Sequence, residues 1–138
     1  MRVFSLLLLV FLPLSAQAIT GDAFMKQCDA AFTKPDKDTP PQVAATRLIE
    51  AGTCVGYVGG ALSGIALMSS LMREQNVIKK NLICLPGTVT PRDMYDQVMK
   101  EIRADKKDRD KKQVRAYIYE HFVKTYACPD EPAAPAKK

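Results

Sequence analysis

The chain has no tryptophan, a single histidine and no two cysteines in C-x-x-C spacing. With only His121 available, metal sites and proton relays built on two imidazoles are excluded, and the missing C-x-x-C pair removes zinc-ribbon and thioredoxin-like readings. Glycines number seven, and none stands in the strand, turn and lysine setting of a phosphate-binding loop. Strand signals are nearly absent. Lys and Arg total 20 against 15 Asp and Glu, for a net charge of +5, too modest and too interspersed to argue for nucleic acid. What is present is ordinary for a globular protein: 138 residues, 47% hydrophobic and 25% charged, a length that fits one domain.

Arg2 precedes an apolar run from Val3 to Leu14, and Ala16-Gln17-Ala18 closes it with a small-x-small cleavage pattern. This reads as a secretory signal peptide. The run is shorter than the roughly 20 apolar residues that cross a bilayer, and no cysteine follows it to accept a lipid. The expected organisation is therefore a cleaved leader over 1–18, one helical domain over 19–130, and a disordered tail over 131–138, rich in Ala, Pro and Lys. Export to the periplasm also decides how Cys28, Cys54, Cys84 and Cys128 are read, because disulfides form in oxidising compartments. Four cysteines allow three connectivities, of which the preferred one joins Cys28 to Cys54 and Cys84 to Cys128. No metal or cofactor is expected.

Helical periodicity dominates the exported part. Phe24, Gln27, Cys28 and Ala31 share one face of a segment from Ala23 to Phe32, and a proline-bearing loop from Thr33 to Pro41 follows. A long segment runs from about Gln42 to Arg73, with prolines at its start, where a missing N–H costs nothing. Thr90-Pro91-Arg92-Asp93 combines an N-cap, a proline and an acidic third position, opening a helix that fades near Ala104. Asp105 to Lys112 is entirely charged. Asp110 with Gln113 resembles a second cap before a helix reaching Ala127, and Cys128-Pro129 stops it. The expected fold is all-α, a small disulfide-stapled bundle of four helices, or five if the long segment breaks.

In the long segment Gly52, Gly56, Gly60 and Gly64 recur every fourth residue, with Gly59 beside them. Each glycine costs a helix about 1 kcal/mol, so something is expected to pack along this stripe, where a missing side chain lets another helix approach closely. Ala51 to Met72 carries no charge, and its 22 residues are enough to span a membrane. Twelve of them are Gly, Ala, Ser or Thr, and Cys54 would lie inside the bilayer. A central buried helix, with part of its face kept for a subunit partner, is the preferred reading.

The stretch Cys54-Val55-Gly56-Tyr57-Val58-Gly59-Gly60, then Cys84-Leu85-Pro86 followed by Val89-Thr90, then Tyr126-Ala127-Cys128-Pro129, resembles the Rap/Tai family of small exported immunity proteins of type VI secretion systems. The resemblance runs from about Phe24 to Pro129. It departs from the family pattern at Ala127, where a proline often precedes the final cysteine, and in the charged run Asp105 to Lys112. The resemblance implies a binding function without catalysis: a periplasmic protein, often a dimer, that fills the active-site cleft of a peptidoglycan amidase, a papain-like effector that cuts the peptide stem. Arg103, Asp105, Lys106, Lys107, Asp108 and Arg109 are the candidate contact residues, since an exposed charged connection suits presentation to a partner; the alternative, and for a charged run the commoner case, is a solvated helix junction.

An enzyme is not expected from the residues themselves. His121 shares a helix face with Val114, Ile118 and Phe122, the cysteines are committed to bridges, and Asp108 and Asp110 sit among lysines where nothing raises a carboxyl pKa. The alternative from another class is a periplasmic stress chaperone that exposes apolar surface when its 15 acids protonate, or a relative that binds another envelope component.

Overall fold

The computed structural model describes residues 18–130; the leader and the tail expected at the two ends lie outside the described residues, apart from Ala18. The described residues form four helices, α1 (Gly21–Phe32), α2 (Pro41–Glu74), α3 (Pro91–Ala104) and α4 (Val114–Thr125), with two isolated β-bridges and no strand. The all-α reading holds, and the long segment does not break.

Each helix follows from local chemistry. Thr20 caps α1 by accepting from the amide of Ala23, and Phe24, Cys28 and Ala31 bury at helical spacing. α2 starts on Pro41 and runs 34 residues. Its glycines do not interrupt it, and its hydroxyls bond back onto their own helix, Thr53 to the carbonyl of Ile49 and Ser63 to that of Gly59, both at 2.9 Å. It ends where Asn76 turns left-handed at φ 56°, with Val77 donating to Met72 and Asn76 to Arg73, the Schellman arrangement with asparagine in the usual glycine place. α3 opens on a full capping box between Thr90 and Asp93 and buries Tyr95, Val98, Met99 and Ile102. Those capping bonds, led by the one from the Thr90 side chain, hold the Asp93 carboxyl below its ordinary value.

The second cap is corrected by the structure. α4 begins at Val114 with Gln113 at the N-cap, and Gln113 makes no capping bond; its side chain accepts from Arg115 instead. Asp110 is in the preceding turn and has no part in it. α4 buries Val114, Tyr117, Ile118 and Phe122, and ends at Thr125, short of Ala127.

The core lies where α1, α3 and α4 meet the inner strip of α2, formed by Cys54, Val58 and Leu62. Two disulfides close it. Cys28–Cys54 (S–S 2.08 Å) ties α1 to α2, and Cys84–Cys128 (2.02 Å) ties the turn before α3 to the end of α4, beside a backbone bond from the Cys84 amide to the Tyr126 carbonyl at 2.8 Å. An aromatic group seals one side: Phe24 meets Tyr57 and Tyr95, Phe32 meets Tyr95 at 5.0 Å, and the Arg92 guanidinium lies 4.2 Å above the Phe32 ring. Burial pushes the Tyr95 phenol up to about 12.

α2 is not the central buried helix that its composition predicts. Gly52, Gly56, Gly60 and Gly64 are exposed, and a Cβ added at any of them would meet nothing within 4 Å. By length and composition the helix could cross a membrane, yet its inner strip is part of the core. The glycines therefore pack against nothing within the subunit.

Candidate functional site

The charged connection between α3 and α4 is ordered by its own polar groups. Asp105 follows the last turn of α3, and its carboxylate accepts from the amide of Asp108 at 3.0 Å and from the Tyr117 hydroxyl at 2.8 Å. Those bonds, the Asp108 amide first, hold the Asp105 carboxyl below its ordinary value. The Tyr117 phenol is pushed up, by burial first and then by the bond to Asp105. The Asp108 carbonyl in turn accepts from the amides of Lys111 and Lys112, so the connection folds as consecutive turns.

The base of the connection is stitched to the start of α1. Asp22 donates its amide to the Arg109 carbonyl at 2.8 Å, Gly21 to Lys112 at 2.9 Å, and Val114 donates to Ile19 at 3.0 Å. The Asp22 carboxylate accepts from Lys26 and lies 3.3 Å from the Arg109 guanidinium, and Lys26 above all holds its pKa below the ordinary value. Gly21 is required for this approach: a Cβ there would lie 2.9 Å from the Tyr117 ring and 3.2 Å from the Arg109 carbonyl.

The six candidate contact residues thus divide. Arg103, near the end of α3, pairs with Asp29 of α1; Asp105 and Arg109 are half-buried and engaged as described. Lys106, Lys107 and Asp108 are exposed, and their side chains have no hydrogen-bond or ion-pair partner among the described residues. In the sequence all six read as one presented surface. The structure separates Asp105 and Arg109, which brace the connection, and Arg103, which ties α3 to α1, from three side chains that the connection displays.

Beside the connection lies a cleft of about 300 Å³ lined by Glu101, Ala104, Asp105, Lys112, Tyr117, Glu120 and His121. Lys112 bonds Glu120 across it and sits 4.4 Å over the Tyr117 ring. His121 forms one wall: its Nε2 shares a hydrogen bond with Gln97 Oε1 at 3.0 Å, an oxygen that the Tyr126 hydroxyl also reaches at 3.0 Å, and its Nδ1 lies 3.2 Å from the Glu101 carboxylate. These bonds lash α3 to α4. The network escaped sequence reasoning because its members lie on two helices; the Asp105-to-Asp108 turn was findable, since an aspartate that ends a helix often accepts from an amide a few residues on.

Fold and site define a small all-α domain, disulfide-stapled, whose most prominent polar feature is a braced loop rather than a reactive pocket. The family model for Rap1a immunity proteins matches residues 20–128, and the chain belongs to that family. The comparisons with curated proteins and with solved structures give no match.

Proposed function

We propose that this chain is an exported immunity protein that binds a type VI secretion effector in the periplasm and occludes its active site, the effector being a peptidoglycan amidase. The single observation that carries the reading is the match to the Rap1a immunity family across nearly all of the described domain. Two disulfides suit an oxidising compartment. The role calls for no catalysis: every described cysteine is bridged, and the one histidine is spent on structure.

The contact surface in this reading is the tip of the α3–α4 connection. A loop fixed at Asp105 and Arg109 and free at Lys106, Lys107 and Asp108 loses little conformational entropy on docking, which favours tight binding. Lysines at its tip suit an acidic rim on the partner and would act mainly on association rate and specificity.

Affinity capture of the tagged mature chain from a periplasmic fraction at neutral pH tests the reading. A stoichiometric amidase, silent until the complex is dissociated, is the expected result. Capture of many unrelated envelope proteins, together with suppression of their aggregation at low pH, would replace it with a chaperone role. Charge reversal at Lys106 and Lys107 is expected to weaken inhibition and leave thermal stability unchanged. Arg109 does not belong in that variant, because its reversal would put a carboxylate beside Asp22 and loosen the start of α1.

A further inference from the structure

Helix α4 has no side-chain cap of its own. Gln113 makes no capping bond, so the first amide of the helix, that of Val114, takes its acceptor from elsewhere. The Ile19 carbonyl supplies it at 3.0 Å. Ile19 is half-buried against the core, and Thr20 beside it forms the antiparallel bridge with Gln113 and caps α1. Two residues at the entry of the domain thus complete the starts of two helices. We propose that Ile19 and Thr20 are positioning residues for the displayed tip, Lys106 to Asp108, and that the leader is cut after Ala18 so that the mature chain begins on them.

The sequence offers two small-x-small triplets in this region, Ala16-Gln17-Ala18 and Gly21-Asp22-Ala23, and the structure chooses between them. A cut after Ala23 would take the Ile19 carbonyl from Val114 and the Thr20 cap from α1. It would also take the amides of Gly21 and Asp22 from the Lys112 and Arg109 carbonyls, 2.9 and 2.8 Å away, and discard a buried glycine that already lies against Tyr117. Ala18 is exposed, and the seam begins one residue later. Hydrolysis there adds one water across the Ala18–Ile19 bond, leaving a carboxylate on Ala18 and an ammonium on Ile19. The contacts survive it, because Ile19 enters the seam through its carbonyl and its side chain.

The seam ends next to the displayed residues. Arg109, whose carbonyl it holds, follows Asp108 directly, and Lys112, whose carbonyl it also holds, donates its amide to the Asp108 carbonyl at 2.7 Å. Asp108 is therefore anchored to the start of α1 through both residues. On the other side Asp105 accepts its amide, so Lys106 and Lys107 lie between two fixed points. A loop held in this way loses less conformational entropy when a partner docks. The advantage in binding rests on the immunity reading; the ordering of the tip does not.

Mass spectrometry of the exported protein is expected to place its N-terminus at Ile19. Chains starting at Ile19, Thr20 and Gly21, each released from a cleavable fusion, are then compared by hydrogen exchange. Loss of Ile19 should speed exchange at Val114 and from Lys106 to Lys112 by about fivefold, the weight of one lost helix cap, with Val98 and Ile102 of α3 unchanged. Should the shortened chains not fold, Ile19→Asp and Ile19→Val in the full mature chain read the same contact: aspartate should speed exchange, and valine should keep the slow rate. An N-terminus at any other residue would overturn the proposal. So would equal protection of the connection in the chains starting at Ile19 and Gly21, or in Ile19→Asp and the unaltered chain. Inhibition of a captured amidase separates this inference from the reading it serves. Faster exchange on shortening, in a protein that silences no amidase, would remove the immunity reading and leave the positioning role. Equal inhibition by the full and shortened chains would do the reverse.

Discussion

Helices α3 and α2 are both read from the sequence as core helices, and they meet that expectation very differently. α3 turns Tyr95, Val98, Met99 and Ile102 fully inward, packs Met94 partly against the core, and keeps polar groups outside, where Arg92 and Asp96 pair at 3.0 Å. α2 is apolar on all sides. Its inner strip of Cys54, Val58 and Leu62 is buried, while Leu48, Ile49, Leu67 and Met68 stand in solvent. Hydropathy reports which residues can be buried. Only a polar face, as in α3, reports which direction is out.

The largest test of this contrast removes the covalent tie between α2 and the rest. Replacing Cys28 and Cys54 together by alanine opens a bridge with sequence separation 26, expected to cost about 3 to 4 kcal/mol in the chain-entropy treatment. Urea unfolding measures it. Hydrogen exchange locates it, and protection should fall more along α2, which buries few large residues, than along α3. An equal loss in both helices would show that α2 is held by packing alone.

A pair of truncations compares the two helices directly. Ile102→Ala, at a fully buried position, should cost about 3 kcal/mol through lost burial and the cavity left behind. Leu48→Ala, at a residue 75% exposed, should stay within about 0.5 kcal/mol. Similar losses at both sites would mean that the outer face of α2 is covered within the subunit.

Much of this architecture was legible because its determinants are local. The capping box at Thr90 and Asp93, the proline at the start of α2, and the spacing of Val98 and Ile102 or of Ile118 and Phe122 each fix an element within a turn or two. The charged run was legible as a connection for the same reason. Its inner bracing was not, since Tyr117 and Asp22 reach Asp105 and Arg109 only once α1, α3 and α4 have assembled. The same limit explains α2: an apolar helix with a glycine stripe is compatible with a core, a bilayer or a second copy, and only the positions of its neighbours separate inside from outside. Asp110 misled because aspartate before a helix is a frequent cap, while the first turn of α4 is held by the bond from the Val114 amide to Ile19.

The seam between α1 and the connection offers a smaller, sharper test. Gly21→Ala would place a methyl 2.9 Å from the Tyr117 ring and 3.2 Å from the Arg109 carbonyl, an overpacking expected to cost about 1 to 2 kcal/mol. Gly56→Ala, in open space on α2, should cost the monomer nothing and raise its helix stability by up to about 1 kcal/mol. Thermal unfolding at concentrations that dissociate any dimer separates the two. Opposite signs for the same chemical change would mark Gly21 as a glycine required by contact within the subunit.

Acid should divide the molecule along the same line. Asp22, Asp93 and Asp105 all have pKa values lowered from an ordinary 3.8 by hydrogen bonds or ion pairs of the folded state. A carboxyl with a lowered folded pKa binds its proton less readily in the native chain than in the unfolded one. Its stabilising contribution is therefore fully present above 3.8 and is lost as pH falls through the folded value. α2 has no carboxylate between Glu50 and Glu74, so its interior has nothing of the kind to lose. Stability should be insensitive to these groups near neutral pH and decline below about 4, with the amides of the connection and the starts of α1 and α3 losing protection first. Asp105→Asn should weaken the connection at neutral pH, because an uncharged amide is a poorer acceptor for the Asp108 amide and the Tyr117 hydroxyl. It should also flatten the acid slope, and an unchanged slope would mean that Asp105 contributes nothing to the pH dependence.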